Sequence, residues 1–163
     1  MDFRVGDPVM HWTYGLGQVI GREERILSGQ KTLYYVVKVR DLTVWVPADG
    51  KLPNRLRPPT TANNFKRLFA ILSGIGEPLP EDRQERKLRL VEQLKDGRAE
   101  SLCRVVRDLF TYQQAKTLNE NDQVILKRAQ NALLSEWGYS LSVPEMQAES
   151  DLRRMLTASS AGD

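Results

Sequence analysis

The spacing of apolar residues changes near residue 60, and no other feature limits the possible folds as tightly. Upstream, short runs rich in Val, Tyr and Thr alternate with glycine-containing turns, and no 3.6-residue stripe persists. Downstream, apolar residues recur at helical spacing. Between the two, residues 47–59 hold four prolines and end in Pro58-Pro59, a firm break in any regular element. The chain of 163 residues therefore reads as α+β: a β unit over 1–60, a helical unit over 61–157, and a flexible tail at 158–163.

In the first unit, residues 7–12 form a strand and Gly15-Leu16-Gly17 marks a turn. Gln18-Val19-Ile20-Gly21 opens a second strand that continues to Ile26, and Ser28-Gly29-Gln30-Lys31 is the next turn. Residues 32–39 are a third strand, and Arg40-Asp41 leads into Leu42-Thr43-Val44-Trp45-Val46, which Pro47 ends. Four or five such short strands suit a small twisted barrel or curled sheet. Residues 47–59 read as an irregular crossing.

In the second unit, Thr60 or Thr61 can cap a helix whose stripe is Phe65, Leu68, Phe69 and Leu72. Residues 81–95 begin with Glu81-Asp82 and end with Lys95, which suits the helix dipole. Leu88, Val91 and Leu94 are the expected core face, and Gly97 is the stop. Residues 99–116 place Leu102, Val105, Val106 and Leu109 on one side. Asn119 caps a helix from 120 to about 137, with Gly138 expected to end it. Pro144 opens a last helix carrying Met146, Leu152, Met155 and Leu156.

Composition excludes several functions. The longest apolar run falls far short of the roughly 20 residues that span a bilayer. The opening residues have no apolar run of signal-peptide length, which predicts a cytoplasmic protein. One cysteine and one histidine cannot build a disulfide framework or a structural zinc site, which leaves only a metal bound by carboxylates, and no spacing suggests one; neither metal nor cofactor is expected. Cys103 lies inside an apolar stripe beside Leu102 and Val105 and reads as core. His11 has no second histidine and reads as structural. Glu23-Glu24 and Glu81-Asp82 are adjacent in sequence, so each pair diverges rather than facing one substrate. Gly15-Leu16-Gly17 lacks the third glycine of a dinucleotide loop. The chain reads as a binding protein, not an enzyme.

Charge says less. The net charge is +3. Residues 1–60 hold nine basic and six acidic side chains, and residues 61–163 hold fifteen of each. Within 83–107, eight basic residues face four acidic ones, a patch that suits a phosphate backbone or a solvated helix face. Among strands, Leu42 to Val46 can add to a partner's sheet through main-chain hydrogen bonds. Trp45 is then either an anchor or a barrel-core aromatic, since Val44 and Val46 share the opposite face. Arg25 is an interface charge or merely an exposed one.

Several ordered segments resemble the CarD/CdnL-like bacterial transcription regulators. Phe3-Arg4-Val5-Gly6-Asp7-Pro8-Val9 matches their F-x-V-G-D-x-V opening, and Gly15-Leu16-Gly17-Gln18-Val19 their G-x-G-x-V. Gly29 with Tyr34-Tyr35-Val36-Val37, then Leu42-Thr43-Val44-Trp45-Val46-Pro47 and Arg55-Leu56-Arg57, are similar to the next family stretches. Leu94-Lys95-Asp96-Gly97 and Val105-Val106-Arg107-Asp108-Leu109 resemble the L-x-x-G and V-V-R-D-L of the helical half. The likeness covers roughly residues 3–137.

The resemblance implies a Tudor-like five-stranded domain that docks on the β-subunit lobe of RNA polymerase. It also implies a helical domain touching promoter DNA upstream of the melted region, in a monomer that stabilises the open complex. Carried over by position, the polymerase contact involves Arg25, Thr43, Val44, Trp45 and Val46, and the DNA contact Arg83, Arg86, Lys87 and Arg89. Many members have Arg where this chain has Trp45. Members commonly place a minor-groove tryptophan where this chain has Arg83, and two further basic positions fall on Glu85 and Leu88. The alternative is a polymerase-binding module whose helical half meets protein only.

Overall fold

Residues 2–161 are described by the computed structural model. Strands β1 (Pro8–His11), β2 (Gly15–Leu27), β3 (Gln30–Val39) and β4 (Leu42–Pro47) form an antiparallel sheet with β5 (Leu56–Arg57), in the order β4-β3-β2-β1-β5. The alternation of Val and Tyr with polar residues directs one face of each strand inward. That face buries Val9, Val19, Tyr35, Val37, Val39 and Val46 against Phe3, Leu52 and Leu56. β2 and β3 are joined by Ser28-Gly29, both at positive φ (51° and 78°), which suits the right-handed twist of a two-residue hairpin.

β2 changes face along its length. Val19 pairs with Val37, but the next pair is Gly21 with Val36, so Ile20 is a bulge. One extra residue inverts the alternation beyond it. Val19 therefore points into the core, whereas Glu23 and Arg25, which would otherwise share its face, lie on the outer one.

The segment expected as an irregular crossing contains a short helix α1 (Leu52–Arg55) and β5. Leu56 is buried and pairs with His11, and Trp12 N–H donates to Arg55 C=O. The outer edge of β1 needs a partner, and two residues free of proline supply it.

The helical half comprises α2 (Ala62–Arg67), α3 (Phe69–Leu72), α4 (Arg83–Leu94), α5 (Ala99–Ala115), α6 (Glu120–Leu141) and α7 (Glu145–Ala161). Thr61 caps α2 by accepting from Asn64 N–H, and Phe65, Leu68 and Leu72 are buried although the helix breaks at Leu68. Asn119 and Asp122 close a capping box on α6.

Four expectations for the helical half change. Gly138 does not end α6, which continues to Leu141 and stops where Ser142 turns left-handed. The glycine serves a close approach: a Cβ there would sit 3.0 Å from the returning Val143 carbonyl. On α4 the buried side chains are Arg86 and Leu90, with Leu94 partly buried, whereas Leu88 and Val91 face solvent at 67% and 41% exposure. In α7, Leu152 and Leu156 are buried and Met146 is exposed. α7 runs through Ala161 into the segment expected as a tail, of which 162–163 lie outside the described residues.

The two halves pack closely. Met10 belongs to the helical core, and Leu16 packs against it. Arg57 of β5 donates to both carboxylate oxygens of Glu136 on α6, and its Nε donates to Gly97 C=O. Gly97, at φ 69°, lies so close to α1 that a Cβ would meet Asn54 O at 2.6 Å. The space left at this junction is about 10 Å³, near the minimum for one water.

Candidate docking edge and α4 face

β4 ends the sheet, so one side of its backbone pairs with no strand among the described residues. The ladder identifies the outward groups. Ala48 N–H donates to Leu33 C=O directly opposite it, which makes that pair a hydrogen-bonded one. Alternation by two then turns the backbones of Val46, Val44 and Leu42 toward β3, and those of Pro47, Trp45 and Thr43 outward. Pro47, which lacks an N–H, thus occupies a position where no ladder bond is lost. Among the described residues, no strand of the chain pairs with this rim.

Side chains follow the same alternation. Val46 is buried and Val44 packs on the β core, whereas Trp45 is 39% exposed on the outer face and is not a barrel-core aromatic. The Trp45 indole N–H donates to Glu23 Oε2 at 3.0 Å, and Arg25 donates to the same oxygen at 3.2 Å. The Arg25 guanidinium lies 5.1 Å from the Trp45 ring centre and 5.9 Å from that of Tyr34, within cation–π range. Glu23 pairs with Tyr34 and Trp45 with Val36, so the group spans three strands diagonally. The sequence reading missed Glu23, because only the bulge at Ile20 turns it to Trp45's face.

The four basic residues expected on α4 separate into two pairs. Arg86 is buried, and its Nε and Nη2 donate to the two oxygens of Asp122 at 2.9 Å. Its Nη1 donates to Pro80 C=O, Glu81 C=O and the Tyr112 hydroxyl. The bond to Asp122 holds the guanidinium above its ordinary pKa, against the opposing effect of burial. The structure thus turns the Arg86 guanidinium into the fold rather than toward the surface where a phosphate contact was expected of it. Arg89 donates to Pro78 C=O and Glu77. Arg83 and Lys87 are exposed and have no ion-pair or hydrogen-bond partner among the described residues. Arg83, Lys87 and Val91 follow one another at intervals of four along one side of α4, while Leu88 projects from a different exposed side.

His11 and Cys103 are structural. His11 Nδ1 accepts from the N–H groups of Thr13 and Tyr14, closing the β1–β2 turn. Burial lowers its pKa to about 4, so the ring is neutral near pH 7. Burial pushes the Cys103 thiol up to about 12, which makes it a poor nucleophile. Among the described residues no group of three or more His, Cys, Asp or Glu is placed to hold a metal ion, and no helix is long and apolar enough to cross a membrane.

Comparison with known proteins agrees with this division. Residues 3–57 match the CarD-like/TRCF RID domain, and residues 67–153 match the CarD C-terminal domain. The boundary between the matches falls in the segment that holds the Pro58-Pro59 break. A protein of Bacillus subtilis (strain 168) named "Putative transcription factor YdeB" is 28% identical over 151 residues, covering 91% of this chain and 98% of that one. With both domains present in order and the second alone matching more than half of its residues, the chain belongs to the CarD family of transcription regulators.

Proposed function

We propose that this protein regulates bacterial transcription initiation by adding the β4 edge to a strand of the RNA polymerase β-subunit lobe. The observation that carries the reading is the unpaired rim of β4, with Thr43 and Trp45 offering outward backbone groups and the Arg25–Trp45 cluster beside them. Strand addition draws affinity from main-chain bonds and specificity from alternate side chains. It therefore tolerates Trp45 where many relatives have Arg.

In this reading the docked domain delivers the helical half to promoter DNA, where Arg83 and Lys87 meet phosphates and the open complex is stabilised. Close packing of the two halves fixes that delivery. Tethering supplies an effective concentration of about a millimolar, so weak intrinsic DNA affinity and a net charge of +3 suffice. The protein acts as a cytoplasmic monomer on the polymerase.

Footprinting and open-complex lifetimes, with and without the protein, test this. The expected result is added protection just upstream of the melted bases and a longer lifetime, both lost in Arg83→Glu/Lys87→Glu while polymerase binding persists. Unchanged lifetimes in that variant would sink the DNA role. The reading left would be a module that contacts protein only, which the internal engagement of Arg86 and Arg89 favours.

A further inference from the structure

We infer that Glu23 is a positioning residue of the β4 docking surface, acting through Trp45 and making that contact apolar. This rests on the docking reading of β4. Trp45 stands on the rim with its backbone turned outward, so a residue of an added strand lies directly opposite it on the same face. An indole offers such a neighbour two things, a ring and one N–H donor. Here the N–H is already committed to Glu23 Oε2 at 3.0 Å, and the Arg25 guanidinium lies 5.1 Å from the ring centre. What remains for a partner is the ring and its edge. The matching strand presents a side chain that packs on an aromatic surface rather than an acceptor for the indole N–H.

The bulge at Ile20 makes this arrangement possible. It brings Glu23 and Arg25 to the face of Trp45, and the shared Oε2 ties indole and guanidinium together. Anchoring the indole in one orientation before docking spares the complex the entropy of ordering a large side chain. Glu23 is about half exposed and pairs only with outer-face groups, so its removal leaves the β core intact.

A double-mutant cycle on the full-length protein with RNA polymerase core enzyme tests the inference. Glu23→Ala is expected to weaken binding about three- to tenfold, the range of one exposed charge-assisted hydrogen bond. Glu23→Gln, whose amide oxygen still accepts the indole N–H, is expected to restore most of that loss. In a Trp45→Ala background, Glu23→Ala is expected to change affinity less than twofold. Equal weakening in both backgrounds would mean that Glu23 touches polymerase itself and would overturn the inference, as would no effect of Glu23→Ala at all. A Thr43→Pro protein that binds core enzyme as wild type does would instead remove the docking reading and this inference with it, whereas wild-type binding by Trp45→Ala would overturn the inference alone. Thermal melts of each variant separate these outcomes from loss of fold.

Discussion

Arg57 and Glu136, 79 residues apart, face each other through two N–H···O bonds of 2.6 and 2.8 Å across the boundary between the β and helical halves. Glu136 is fully buried and also accepts from the backbone N–H and hydroxyl of Thr60, both at 2.8 Å. One carboxylate thus fastens β5, the linker and α6 at a single point.

Glu136→Ala is therefore expected to destabilise the protein by about 3–5 kcal/mol, since it leaves the Arg57 charge and the Thr60 donors without their acceptor. Arg57→Met/Glu136→Met should lose less than Glu136→Ala alone, because no unpaired charge remains. Urea unfolding of the three proteins measures both differences.

Arg86 should behave as a folding residue. Arg86→Ala strands Asp122 in the core and is expected to cost about 3–5 kcal/mol. Arg83→Glu/Lys87→Glu, on exposed positions, should stay within about 0.5 kcal/mol of wild type. Circular-dichroism melts distinguish the two, and a similar loss in both would contradict the buried placement of Arg86.

The turn closed by His11 is acid-labile. Its folded pKa of about 4 lies below the ordinary 6.5, so unfolding takes up a proton throughout the interval between them. Its stabilising contribution is complete above pH 6.5 and is lost as pH falls through 4, at roughly 1.4 kcal/mol per unit and roughly 3 kcal/mol in all. Unfolding free energies between pH 6.5 and 5, before most carboxylates titrate, should show this slope, and His11→Gln should flatten it.

Prolines on β4 should act by parity. Val44→Pro removes an N–H directed at β3, blocks a ladder bond and is expected to destabilise the fold by about 3 kcal/mol or more. Thr43→Pro removes an outward N–H, so it should leave most of the stability in place while weakening polymerase pull-down. Equal melting temperatures for the two would refute the assigned parity.

Local pattern was enough to read a β half and a helical half split near the prolines, a turn within residues 28–31, a cap at Asn119 and another at Thr60 or Thr61, and Cys103 as core, because turn, cap and periodicity rules act over a few residues. Three features lay beyond it. Leu88 and Val91 fit a helical stripe, but the buried side of α4 is chosen by Asp122 on α6, which takes Arg86 inward and turns those apolar side chains out. Nothing near Glu136 in the sequence marks it for burial, because the Arg57 that pairs with it comes from the other half. Glu23 and Arg25 share a parity with Val19, yet the unpaired Ile20 moves them to the opposite face, where they meet Trp45. The sequence by itself determined the long strands and the principal helices, but not α1 or β5, which form where β1 needs a partner. Which charged groups are buried and which surround the rim was decided by contacts distant in sequence, since burying a charge is favourable only once the fold delivers its partner.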